Sequence, residues 1–269
     1  MTDILRRGLS PVTDEAWAEI DEQAKRILKG NLSARSLVDM HGPEGWELAA
    51  VNLGKLKRGN SDAVKGVEWG VRQVLPVVEI RVPFSLKLDE LDSITRGAMD
   101  PDLDPVDKAA RQAALFEETA VYKGFDPACI QGIAATSANK PVPAPKDAGS
   151  FVAAVEAGML AIQSNGIGGP FNLVLGRKLY QMLSVGEGRG YPLEQRAREL
   201  LGGRIAWSPA IETGLLMSGR GGDFEFTLGQ DFSIGYAGHD ANTVKAFIAE
   251  SFTFRVLEPA AAVELKAGK

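Results

Sequence analysis

Apolar positions along this chain follow two periodicities, and each predicts its own kind of element. Steps of three and four residues mark helices. Between Thr13 and Lys29, Trp17, Ile20, Ala24, Ile27 and Leu28 recur at such steps, behind a threonine suited to capping. Asp14, Glu15 and Glu19 at the start, and Lys25, Arg26 and Lys29 at the end, complement the helix dipole. This helix either packs wholly on its own domain or also presents a groove to a partner. A longer helix is predicted from Asp104 to Lys123, with Asp104 as cap and Pro105 as the first helical residue. Its stripe is Val106, Ala109, Ala110, Ala113, Phe116, Ala120 and Val121, and Gly124 is a natural stop. Shorter helices are predicted over Asp89–Arg96, Ser150–Gln163, Arg177–Leu183 and Pro192–Leu201.

Strict alternation marks strands. Phe224–Leu228 and Phe232–Tyr236 flank the turn Gly229-Gln230-Asp231, and a longer run follows over Val244–Leu257. There Ala246, Ile248, Phe252, Phe254 and Val256 share one face while Lys245, Ser251, Thr253 and Arg255 share the other, which predicts a half-buried strand. Leu75–Leu88 reads as a strand in which Pro83 marks an edge or a bend. Phe171–Leu175, Arg204–Ser208 and Leu215–Ser218 read as strands interleaved with helices. Neither periodicity survives from Asn52 to Val74, a Gly- and Lys-punctuated segment with too few apolar residues for a core of its own. It is either a flexible loop or an arm that becomes ordered on a neighbour. Ala138–Lys146 holds three prolines without an apolar pattern and is read as a hinge between subdomains. The fold class is α+β.

Composition narrows the function. The 269 residues, 45% apolar and 24% charged, suffice for one large domain or two smaller ones. A formal net charge of −5 leaves no basic footprint, so nucleic acid is not an expected ligand. No apolar run approaches the roughly 20 residues of a membrane helix, so no membrane partner is expected. The N-terminus has no signal-peptide pattern. The single cysteine, Cys129, forms no internal disulfide and suits a reducing cytoplasm.

Catalytic chemistry finds little purchase. A nucleophilic triad needs a base, and the two histidines, His41 and His239, accompany no nucleophile motif. The same scarcity argues against a metal site. Glu117-Glu118 reads as a solvated helix face, and Asp100, Asp102 and Asp104 as a turn. Gly186, Gly188 and Gly190 lack the dinucleotide fingerprint, and no phosphate-binding loop motif occurs. The residues describe a non-catalytic protein with an unexplained arm.

Several motifs resemble those of the encapsulin shell proteins. They are Leu9-x-Pro11-x-Thr13 with Trp17, Ile20 and Asp21; Val38-Asp39 with Gly42-Pro43-x-Gly45-Trp46-Glu47; Glu90-Leu91-Asp92 with Arg96-Gly97; and Tyr191-Pro192-Leu193-Glu194. The longest match runs from Arg220-Gly221-Gly222-Asp223 through Leu228-Gly229-Gln230-Asp231 and Ser233-Ile234-Gly235-Tyr236 to Glu250-Ser251-Phe252-Thr253-Phe254. Together they span the chain in the family's order. The resemblance implies the HK97 phage-capsid fold, with a peripheral (P) domain, an axial (A) domain and an extended E-loop. It assigns 1–51 to the P-domain, 52–74 to the E-loop, 75–135 to the P-domain with its spine helix, 136–220 to the A-domain, 221–257 to the P-domain sheet and 258–269 to a C-terminal tail. It implies a closed icosahedral homo-oligomer, sixty copies in the smallest shell, in the cytoplasm.

Further roles follow from the same resemblance. A cargo enzyme, either a dye-decolorising peroxidase or a ferritin-like protein, docks through a C-terminal targeting peptide. The corresponding positions are Leu28, Leu32, Arg35 and Asp39 on one side, with Ile234 and Tyr236 on the other. Leu28, Leu32 and Ile234 suit apolar anchors, and Asp39 suits a basic residue. The bland reading is that these residues only hold the helix onto the sheet. Gly186, Glu187, Gly188, Arg189 and Gly190 correspond to the loop around the five-fold pore. Iron storage and oxidative-stress defence both remain open. Some relatives resemble flavoproteins through a tryptophan before the Glu-Leu-Asp motif; here that position is Asp89, so no flavin or other cofactor is expected. The alternatives are a phage major capsid protein, a peptidase or bacteriocin, and a soluble oligomeric binding module. A phage protein would be expected to carry a scaffolding segment or processing site, whereas this chain begins directly at its first helix.

Overall fold

The computed structural model describes residues 4–59, 64–185 and 192–267. In chain order its first half runs α1 (Asp14–Asn31), β1 (Asp39–His41), β2 (Ala50–Arg58), β3 (Gly70–Pro76), β4 (Val78–Lys87), α2 (Leu88–Thr95), α3 (Asp104–Tyr122), α4 (Ile133–Thr136), β5 (Val142–Pro143) and α5 (Ala148–Gln163). The second half runs β6 (Phe171–Leu175), α6 (Arg177–Val185), α7 (Leu193–Leu201), β7 (Gly202–Trp207), β8 (Gly214–Ser218), β9 (Phe224–Leu228), β10 (Ser233–His239), β11 (Thr243–Val256) and β12 (Ala262–Lys266).

Local chemistry sets the helix ends much as the sequence predicts. The Thr13 hydroxyl accepts the Ala16 N–H at 3.3 Å, and Ala16, Trp17, Ile20, Ala24 and Leu28 are the buried face of α1. α3 departs in one detail. Leu103 occupies the position before its first turn, so Asp104 is a first-turn acid rather than the cap, with Pro105 beside it. Gly124 then turns the chain at a φ of 101°, where a Cβ would meet the Gly132 nitrogen at 2.9 Å.

α3 ties two cores together. Its N-terminal half, Val106 to Ala114, packs with Trp17, Ile20, Ile234 and Ile248, whereas Ala120, Val121 and Tyr122 belong to the cluster around Phe151, Leu173 and Leu215. Phe116 touches both. The alanine-rich stripe lets α1 lie close against it.

Two five-stranded sheets pack on these cores. The first is built on β11: β4 pairs along one edge from Thr243 to Phe252, and the other edge takes β10 and then β9, with β1 parallel outside β9. Pro83 sits in β4, an edge strand that tolerates a residue without an N–H. β11 is not half-buried as its alternation predicts; Ala246 to Phe254 are buried on both faces. Its second face is closed by neighbours. The Phe247 ring lies over Gly235, where a Cβ would meet it at 2.2 Å, and the Arg81 guanidinium stacks on that ring at 4.7 Å. Ser251 accepts the Gln230 N–H through its hydroxyl at 2.8 Å.

The second sheet has the order β5-β12-β8-β6-β7. Two expectations fail here. The segment read as a hinge, Ala138–Lys146, contains β5, and residues 258–269, read as a tail, supply β12 with Ala262, Val263 and Leu265 buried. β5 is too short for any periodicity and β12 follows an alanine-rich run of weak strand propensity; β8 gives β12 its partner, and β12 in turn pairs β5.

The segment with neither periodicity forms a two-stranded ribbon, β2 against β3, from Ala50↔Pro76 to Arg58↔Gly70. It joins neither sheet. Leu56, Trp69, Val71 and Val74 are exposed on it, along with Val64 and Val67 between the strands.

Candidate functional site

The C-terminal turns of α1 lie over β10 and β11 without closing on them. A cavity of about 620 Å³ remains, its apolar wall formed by Leu5, Ala24, Leu28, Leu32, Ile234 and Ile248. The segment before α1 forms its rim. The Leu5 carbonyl accepts the Tyr236 N–H at 2.7 Å, and the Arg7 guanidinium donates to the Ile234 carbonyl at 2.7 Å. Arg7 also grips Asp21 through two bonds of 2.7 and 2.6 Å and stacks over Trp17 at 4.6 Å. Sequence reasoning did not assign Leu5, Arg7 or Asp21 to this groove; the only signal was that Asp21 closes the first quoted motif.

Arg35 forms the floor at one end. Its guanidinium binds Glu117 of α3 at 2.7 and 2.9 Å, Asp231 at 2.8 Å and Glu250 of β11. It also stands 4.8 Å over the Phe232 ring. Burial works against the guanidinium charge, but Glu117, Glu250 and Asp231 outweigh it and raise the Arg35 pKa further. Burial pushes the Glu250 carboxyl well above its usual range, and Glu117 adds to that push; Arg35 opposes it. Both Glu117 and Glu250 are fully buried, so Glu117 is not the solvated residue its position in Glu117-Glu118 suggests.

Glu118 is buried too, and it clamps three segments. It accepts the backbone N–H groups of Ser33 and Ala34 at 2.8 Å each, and the hydroxyls of Ser33 and Ser208 at 2.6 Å each. Burial raises its pKa, and these four donors pull the other way. The turn after α1 is thereby fixed to α3 and to the second sheet layer, which holds Arg35 in place.

Leu28, Leu32, Arg35 and Ile234 therefore border one cavity. Asp39 does not. It opens β1, outside β9, and its carboxylate accepts the Gly222 N–H at 2.6 Å in a separate hollow with Arg204 and Pro170. The acidic group that does face the cavity is Asp231, half exposed, whose Oδ1 accepts from Arg35 and from the Phe232 N–H, leaving Oδ2 without a partner among the described residues. Tyr236 turns into a neighbouring hollow lined by Arg6, Arg81 and Phe247, and its hydroxyl bonds His239 Nδ1. The pore-loop residues Gly186, Glu187, Gly188, Arg189 and Gly190 lie outside the described residues. Asp89 sits in the first turn of α2. Among the described residues no cluster of three or more metal-ligating side chains occurs, and no helix is long and apolar enough to cross a membrane.

Comparisons with known proteins agree on one family. A family model described as "Encapsulating protein for peroxidase" matches residues 1–253. The type 1 encapsulin shell protein of Rhodospirillum rubrum is 43% identical over 274 residues, covering 99% of this chain and 97% of its own. That of Rhodococcus erythropolis is 40% identical, covering 97% and 98%. Among solved structures, the virus-like particle of Pyrococcus furiosus superposes with a TM-score of 0.69 at 18% identity, over 93% of this chain and 98% of that one. Mycobacterium phage Bobi superposes with a TM-score of 0.60 at 12% identity, over 89% and 91%. The fold is thus the phage-capsid fold of the HK97 type, and the chain belongs to the family of type 1 encapsulin shell proteins.

Proposed function

We propose that copies of this chain close into a hollow icosahedral compartment in the cytoplasm, and that the groove beside α1 holds the C-terminal peptide of an enclosed enzyme. In this reading the β2–β3 ribbon is the E-loop, α3 the spine helix of the P-domain, and the second sheet the A-domain. The ribbon's exposed Leu56, Trp69, Val71 and Val74 support it: an apolar surface on a two-stranded ribbon without a core is stable only against another molecule. Rings of such heterologous contacts close when their rotation closes. Sixty copies make the smallest closed arrangement. The shell's own role is structural, and the reaction belongs to the guest. The family's description favours a peroxidase as that guest, with a ferritin-like protein as the other candidate.

The observation that carries the peptide role is the open seam between α1 and β10, apolar on both walls and bounded by charges. Its apolar residues suit the apolar side chains of a peptide, and Asp231 offers a carboxylate to a basic residue. Asp231 takes the part first assigned to Asp39. Ile234→Asp places a charge in that wall. It is expected to leave shells intact by electron microscopy and to eliminate co-purification of a tagged cargo enzyme; cargo retained at the parental level would contradict the peptide reading.

A further inference from the structure

The groove continues past Leu32. Lys29 and Leu32, which border the first cavity, also border a second hollow of about 520 Å³ that reaches across to the second sheet layer. Tyr180 of α6 and Trp207 at the end of β7 line it, and Arg177 opens α6 at its edge. Among the described residues no carboxylate lines this hollow. Neither Lys29 nor Arg177 forms an ion pair among the described residues, in contrast to Arg7 and Arg35 a short way along the same groove. The charge pattern therefore changes along the groove. At the Asp231 end cations are already paired with carboxylates, and at the Trp207 end two cations stand beside two aromatic rings with no ion pair among the described residues.

Such a site suits an anion carried on an apolar stem, and the end of a polypeptide is one: a carboxylate attached to a final side chain. We propose that this second hollow captures the free C-terminal carboxylate of the peptide whose apolar side chains fill the first cavity. Arg177 and Lys29 bind the carboxylate, and Tyr180 and Trp207 pack the terminal side chain. The proposal rests on the peptide reading of the groove and adds to it a requirement that the peptide be terminal.

The test uses assembled full-length shells and a panel of fluorescein-labelled dodecapeptides. Each peptide carries two leucine or isoleucine anchors and is made both as the free acid and as the carboxamide. Fluorescence anisotropy is expected to show free acids binding about tenfold more tightly than the matching amides, as befits one partly exposed charge pair. The preference should narrow as salt is raised from low to high concentration. Arg177→Glu should erase it, and Arg177→Gln, milder for folding, should reduce it, with shells of both checked by electron microscopy. Acids and amides that bind wild-type shells equally, while Ile234→Asp abolishes both, would overturn the terminal-carboxylate proposal and leave the peptide groove standing. Failure of every peptide to bind wild-type shells would overturn both.

Discussion

Arg35 holds together elements that lie far apart in the chain. Glu117, Asp231 and Glu250 are separated from it by 82, 196 and 215 residues. One largely covered cation facing three carboxylates, two of them fully buried, leaves an excess of negative charge, which the cluster relieves by keeping a proton on a buried acid. Glu250 is that acid, fully buried, facing Glu117 and Asp231 as well as Arg35. The sign of the pH dependence follows. A carboxyl whose pKa is raised in the folded state binds more protons folded than unfolded at any pH above the ordinary value of 4.5. Stability from this group is complete below that value and is lost as pH rises toward the raised pKa. Glu250→Gln keeps the shape and removes the titration. Thermal unfolding of the variant across pH 5 to 9 should therefore fall less steeply on the alkaline side than that of the parent; parallel curves would contradict this role. None of it was legible in the sequence, where Glu117-Glu118 looks like a wet helix face. Adjacent glutamates on a helix point about 100° apart, and only the tertiary fold shows that both directions are covered.

At the scale of elements, the ribbon β2–β3 has the least support from its own chain. It pairs with itself, joins neither sheet and leaves Leu56, Val71 and Val74 exposed. Deleting Gly54–Gly70 removes most of it without touching either core, so the shortened chain should keep its secondary structure by circular dichroism yet give no closed particles in native mass spectrometry. Closed particles from the deletion variant would refute the ribbon's part in assembly. Its lack of any period was the legible signal, because a segment that cannot bury itself must be covered by something else or remain open. α1 and the strands β9 to β11 were equally legible, since a cap and long periodic runs locate elements well. β5 was not, because two residues hold a single repeat of the pattern, nor was β12, which follows an alanine-rich run of weak strand propensity. Asp39, which the resemblance places with Leu28, Leu32 and Arg35, lies apart from their groove: nearness in sequence does not decide which edge of a sheet a residue reaches. The chain turns after Ala34–Ser36 and enters the sheet beyond β9, while the groove lies at β10.

Across the whole molecule, α3 spans both cores, its first half packed in one and its last turns in the other. A subunit braced this way transmits the contacts of its arm and of its second sheet to a common frame, which a closed lattice requires. Several modest contacts per copy then suffice, because a departing subunit must break them together. A hollow shell also accords with the proposed site, an open apolar groove rather than a set of reacting groups. The most direct test is negative-stain electron microscopy of the purified full-length protein without cargo. The account predicts uniform, hollow, roughly spherical cages. Small discrete particles alone, under every salt concentration and pH tried, would contradict it.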